Sequence, residues 1–154
     1  MVKEKNVGRK KLIDITTYID ELTCLYQANA DLENARQMAQ YMRNQFAFFG
    51  INAQQRRKIA AHLMTKNRRP GQEQIEKVIR LLWQLPQREY QYFAMELVER
   101  YKRLYHPSMI YLFESMLTQK SWWDTVDLIA KKLVGEYFLL FPDKRDFFIQ
   151  KWLQ

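Results

Sequence analysis

Apolar residues recur at helical spacing along most of this chain, and very little interrupts them. Between Gln87 and Tyr105, the residues Tyr90, Phe93, Ala94, Leu97, Val98 and Tyr101 fall on one stripe. Arg88, Glu96, Glu99, Arg100, Lys102 and Arg103 lie mostly elsewhere around the wheel. Ile75, Val78, Ile79 and Leu82 make a second stripe. Its helix is expected to stop near Leu85, because Pro86 disfavours the helical conformation of the residue before it. Ile110, Phe113, Met116 and Leu117 make a third, with Pro107 expected in its first turn. The chain has only four Gly and four Pro in 154 residues. That is too few for a many-stranded sandwich or barrel, which needs a turn about every 8–12 residues.

Residues near 13–27, 31–43, 53–66 and 143–152 also read as helices, the last one following Pro142. Ser121-Trp122-Trp123-Asp124 fits a capping box, with the serine as cap and the aspartate three residues on. Trp122, Val126, Ile129 and Leu133 would then form the buried face, and Gly135 would stop the helix. About eight helices result. They group into pairs some 35 residues apart, over roughly 53–85, 87–118 and 121–152. Each pair needs a neighbour to cover its apolar faces, as in an αα-superhelix of HEAT-like repeats; a compact helical bundle is the alternative. Residues 1–11 carry five Lys or Arg and little apolar material, so they read as a basic flexible arm ahead of a repeat domain over 12–154.

Composition excludes several classes. With 47% hydrophobic and 14% aromatic residues the chain is too apolar for a disordered protein. The single Cys24 permits no intramolecular disulfide and reads as a small buried hydrophobe. With only His62 and His106 beside it, no metal site is expected, and no Gly-rich phosphate loop or H-E-x-x-H motif occurs. No run of 18 apolar residues and no signal peptide is present, so a cytoplasmic protein without membrane contact is the expectation. The 25 Lys and Arg against 17 Asp and Glu give a net charge of +8, which favours a polyanionic partner.

Two segments stand out. In Lys120-Ser121-Trp122-Trp123-Asp124-Thr125-Val126-Asp127, adjacent tryptophans cannot face the same core, since neighbours on a helix differ by about 100°. If Trp122 joins the apolar stripe, Trp123 falls on the flank, on the same face as Asp127 one turn later. Asp124 is explained as a cap partner. Asp127 is not, although a pair with Lys131 is a structural alternative. The Trp123/Asp127 pair therefore reads either as a functional site or as a partly exposed packing feature. The second segment is Tyr41-Met42-Arg43-Asn44-Gln45-Phe46-Ala47-Phe48-Phe49-Gly50-Ile51. Its three phenylalanines would plug a joint between helices, while Tyr41, Arg43 and Asn44 could face a ligand. The clusters Arg56 to Lys58, Lys66 to Arg69 and Arg100 to Arg103 could together supply a phosphate-contacting rim.

YMRNQFAFFGI (41–51) with Arg56-Arg57 following, LWQLPQREYQYFAMEL (82–97) and KSWWDTVD (120–127) occur in one order and spacing. In these segments the chain resembles the AlkD-like DNA alkylation repair proteins, which are DNA glycosylases, over roughly residues 12–154. The resemblance implies HEAT-like repeats wrapping duplex DNA on a concave basic face. It implies hydrolysis of the N-glycosidic bond of positively charged alkylated purines, of the 3-methyladenine and 7-methylguanine type, by a monomer without cofactor or metal. By motif, Asp127 is the essential acid and Trp123 the aromatic beside the lesion. Tyr41 and Asn52 fall where the family places DNA-contacting polar residues, with Arg43, Asn44 and Lys120 as further DNA-binding candidates. Asn52 stands where a longer Gln is common. The family also continues beyond the segment ending at Gln154 with helices that carry a further tryptophan and arginine. The expectation is therefore a fold short at the C-terminus, with apolar surface exposed on its last repeat. A truncated or degenerate member acting as a non-catalytic DNA-binding module is the competing reading, and a protein-interaction scaffold the third.

Overall fold

A computed structural model describes residues 12–154; the basic arm over 1–11 lies outside the described residues. The described chain is all-α. An isolated parallel bridge between Ala47 and Gln87 is the sole β-type pairing among these residues. α1 (Ile15–Ala28) and α2 (Leu32–Tyr41) are each started by an aspartate, Asp14 accepting from the Thr17 N–H at 2.7 Å and Asp31 from the Asn34 N–H at 2.9 Å. α3 (Ala53–Ile59) runs into a 3₁₀ turn at Ala61–Met64. α4 (Ile75–Gln84) and α5 (Arg88–Glu99) follow, then a 3₁₀ turn at Lys102–Leu104 and α6 (Met109–Thr118). α7 (Trp123–Leu128), a π-helical stretch (Ile129–Val134) and α8 (Gly135–Leu140) form one continuous rod, and α9 (Pro142–Trp152) closes the chain.

The stripes form the core. Val78, Ile79, Leu82, Ala94, Leu97, Val98, Ile110, Phe113, Ile129, Leu133 and Tyr137 are completely buried. Each large one removed from water stabilises the fold by about 1.5–3 kcal/mol. The helix pairs, however, are offset by one helix from the sequence-based grouping. α4 packs most extensively on α5, and α6 on the π segment, while α4 touches α6 and α5 touches the π segment between pairs. The reason is loop length. Three residues, Leu85 to Gln87, join α4 to α5 and force an antiparallel hairpin, whereas a long irregular connection separates α3 from α4. Like helices thus stack side by side, in the manner of an αα-superhelix.

Several element ends differ from expectation. The helix expected over 87–105 stops at Glu99, because Tyr101 turns inward to donate its hydroxyl to the Pro70 carbonyl and Tyr105 bonds the Val98 carbonyl at 3.3 Å. Pro107 precedes α6 rather than standing in its first turn, the helix beginning at Met109 after Ser108. Gly135 does not stop a helix: with φ −58° it continues one. Cys24 is exposed rather than buried. On the last two helices and at the residue that ends them, Leu139, Phe147 and Leu153 are 78%, 64% and 77% exposed, an apolar surface on the last repeat. No described helix is long and apolar enough to cross a membrane, and no group of three His, Cys, Asp or Glu among the described residues could hold a metal.

Candidate functional site

The site is assembled where α2 ends and α7 begins. α2 stops in a Schellman turn: the Arg43 N–H bonds the Gln40 carbonyl at 2.9 Å and the Asn44 N–H bonds the Ala39 carbonyl at 2.7 Å. Glycine usually occupies such a turn, yet here Arg43 and Asn44 take it with φ of 53° and 56°. The third non-glycine residue with positive φ among the described residues is Lys120, at 51°, just ahead of α7. Backbone strain of this kind persists where the surroundings over-determine it, and here it brackets two exposed aromatic residues. Tyr41 is 72% and Trp123 51% exposed, and their rings meet edge to face with centroids 6.0 Å apart.

Trp122, the neighbour of Trp123, turns the other way. It is partly buried and packs edge to face on Phe46 at 6.4 Å. Asp127 stands one turn beyond Trp123 on the same face of α7. Its carboxylate is exposed and has no hydrogen bond or ion pair with any described residue, Lys131 included. The structure thus brings together Tyr41, Trp123 and Asp127, with Arg43 and Asn44 exposed at the rim. The other two candidates have side chains engaged within the fold. The Asn52 side chain caps α3 by accepting from the Gln55 N–H at 2.9 Å. The Lys120 ammonium donates to the Leu85 carbonyl, and burial together with the nearby Arg88 charge lowers its pKa.

The capping box does not form. Trp122 is the N-cap of α7 and makes no side-chain capping bond. Asp124 instead accepts from Arg88 through two parallel bonds, Nε to Oδ2 at 3.0 Å and Nη2 to Oδ1 at 2.7 Å, and from the Tyr92 hydroxyl at 2.7 Å. Burial pushes the Asp124 carboxyl up, but the Arg88 and Tyr92 hydrogen bonds and the Arg88 charge outweigh it and hold its pKa below the usual value. Burial, with the Asp124 hydrogen bond and charge, drives the Tyr92 hydroxyl well above its ordinary range. Arg88 itself is completely buried, as is Glu89 beside it. A wheel read from sequence places Arg88 mostly away from the apolar stripe and gives no signal for this role. Two turns further along α5 the theme repeats. Buried Arg56 makes two bonds to Glu96, at 2.9 and 3.1 Å, and Arg57 adds a third at 2.9 Å. They border a cleft of about 430 Å³ between α3 and α5, rimmed by Arg57, Arg100 and Lys102.

The arrangement is an anionic acceptor and two exposed π faces on a cationic protein, suited to a ligand that carries local positive charge within a polyanion. Residues 24–154 match the family model described as DNA alkylation repair enzyme. No curated protein matches the chain. The solved structure of a predicted DNA alkylation repair enzyme from Enterococcus faecalis is 30% identical, superposes with a TM-score of 0.67, and is matched over 75% of this chain and 54% of that one. The chain therefore spans about half the length of that relative. Since the family model covers all but the first 23 residues, the chain belongs to the DNA alkylation repair enzyme family.

Proposed function

We propose that the site hydrolyses the N-glycosidic bond of positively charged alkylated purines, of the 3-methyladenine and 7-methylguanine type, in duplex DNA. The observation that carries this reading is the unpartnered, exposed Asp127 carboxylate one turn from the exposed Trp123. An alkylated purine is already cationic and leaves without a general acid. As its bond to C1′ breaks, the deoxyribose gains oxocarbenium character, as at other glycosidic centres. A fixed carboxylate stabilises that charge and takes a proton from the attacking water. Trp123, steadied by Tyr41, presents its ring face to the same cation. Tyr41 and Arg43 lie on the surface where a strand would pass. Asn52 and Lys120 act first in holding α3 and the α6–α7 turn.

The test is release of free base from duplex DNA containing 7-methylguanine, comparing the parent with Asp127→Asn. Release by the parent and a loss of about 10²–10³-fold in the variant, with duplex affinity kept, is the expected result. No release by either, with binding that weakens steeply in salt, would replace this reading with a DNA-binding module. Six phosphate contacts give a log–log salt slope of roughly −5. Affinity that hardly changes with salt would remove DNA as the ligand.

A further inference from the structure

The segments 41–51, 82–97 and 120–127 converge on one buried side chain, which the middle segment supplies. Arg88 opens α5 and is completely buried. Its guanidinium holds Asp124 through the two bonds described above. It also donates to the Lys120 carbonyl at 2.8 Å and to the Thr125 hydroxyl at 3.0 Å. All these acceptors lie in the turn before α7 or in its first turn. The guanidinium carbon lies 3.7 Å from the Phe46 ring centroid, and the backbone N–H of Arg88 donates to the Ala47 carbonyl at 2.8 Å. Glu89 completes the hold on that side: its Oε1 accepts from the N–H groups of Gly50 and Ile51, at 2.9 and 3.3 Å. One turn of α5 thus grips the strand-like segment after Tyr41 on one side and the helix that begins at Trp123 on the other.

Stability alone does not explain such a residue. A buried ion pair is often no better for stability than apolar residues of the same volume. What it supplies is orientation, because a guanidinium fork meets a carboxylate in one plane and at two points. Orientation is what α7 otherwise lacks. The helix has six residues, no side-chain cap at its start, and a π-helical stretch directly after it. Its first residue is Trp123, and Asp127 follows one turn on.

We propose that Arg88 is a positioning residue for the site at Trp123 and Asp127: by clasping Asp124 and seating on Phe46, it fixes both sides of the Tyr41–Trp123 contact before DNA arrives. The proposal rests on the glycosylase reading for its kinetic consequence but not for its structural one. Three variants separate the cases. Arg88→Lys keeps the charge and the stem but cannot make the fork. Arg88→Met with Asp124→Leu removes both buried charges together and so leaves neither unpaired. Tyr92→Phe deletes one bond to Asp124 and nothing else.

Two measurements are made on each variant. The first is the single-turnover rate of base release at saturating enzyme, beside the Kd for unmodified duplex. The second is the ¹⁹F spectrum of the full chain labelled with 5-fluorotryptophan, in which the Trp123 line is identified by its loss in Trp123→Phe. Arg88→Lys and the double variant are expected to lower the single-turnover rate about 10–100-fold, since misplacement by about 1 Å can have that effect. Their Kd should change by less than about threefold, and the Trp123 line should broaden or split. Tyr92→Phe should fall between them and the parent. The double variant carries the test if Arg88→Lys does not fold, and Tyr92→Phe carries it if neither does. A Trp123 line and a rate that match the parent in folded variants would overturn the proposal. A line that shifts in a protein whose parent form releases no base would uphold the positioning role and reject the glycosylase reading instead.

Discussion

Two aspartates and two tryptophans stand side by side at the start of α7, and each pair divides the same way. Asp124 is held by Arg88 and Tyr92, whereas Asp127, less than one turn on, is exposed with no partner among the described residues. Trp122 packs on Phe46 inside the joint, whereas Trp123 shows half its surface to solvent. The residue types are the same and the helix is the same; only the angular position differs. Identical chemistry is built into the scaffold on one side of a helix and left exposed on the other.

This contrast can be broken by truncation. Asp124→Ala leaves the Arg88 charge buried and unpaired, and is expected to destabilise the fold by about 3–5 kcal/mol in urea unfolding. Asp127→Ala removes nothing that the fold uses and should change stability by less than about 0.5 kcal/mol, while abolishing base release. Equal stability losses at the two positions would mean that α7 is not divided as described. The tryptophans give a smaller version of the same test. Trp122→Ala opens the joint against Phe46 and should lower stability by about 2–3 kcal/mol. Trp123→Ala, losing one edge-to-face contact, should cost under about 1 kcal/mol.

Acid sharpens the comparison of the aspartates. The Asp124 carboxyl is held below its ordinary pKa when folded. Its contribution is therefore fully present above about pH 4, where the unfolded carboxyl also ionises, and is lost as pH falls through the folded value. The stability gap between the parent and Asp124→Asn should stay level from pH 7 to about pH 5 and then shrink as urea midpoints are followed down to about pH 2.5. A gap that stays constant would mean that the ion pair is not the source of the difference.

Much of this was legible in the sequence, and the gaps have physical causes. The stripes through Val78, Phe93 and Phe113 mark three helices, because burying an apolar face requires a 3.6-residue period whatever the neighbours are. The 100° step between Trp122 and Trp123 tells which indole turns outward. Arg88 and Glu89 were not legible. Two charged residues opening a helix ordinarily face water, and only the tertiary approach of Phe46, Gly50 and Asp124 gives them partners. The same approach defeats the Ser121–Asp124 capping box: a local bond to a backbone N–H competes with a bidentate guanidinium and loses. The π-helical stretch at Ile129–Val134 leaves no mark in the pattern either, since one added residue in a turn looks like an ordinary shift of the apolar stripe.

The smallest expected effect tests whether the strain beside the aromatic pair belongs to the site or merely accompanies it. Asn44 holds φ 56° at the end of α2, in a turn where glycine has no steric penalty. Asn44→Gly should relieve that strain at the expense of a freer unfolded chain, leaving a net change of at most about 1 kcal/mol, most readily seen as a shift in Tm. Gly50, at φ 91°, supplies the opposite control. A Cβ there would lie 2.0 Å from the Asp31 carbonyl oxygen, so Gly50→Ala must move backbone and should destabilise. If strain at Asn44 serves only to end the helix, its relief leaves the rate of base release unchanged. If it aims Tyr41 at Trp123, the glycine variant keeps its stability yet releases base more slowly, because a turn that tolerates more conformations no longer fixes one of the two rings.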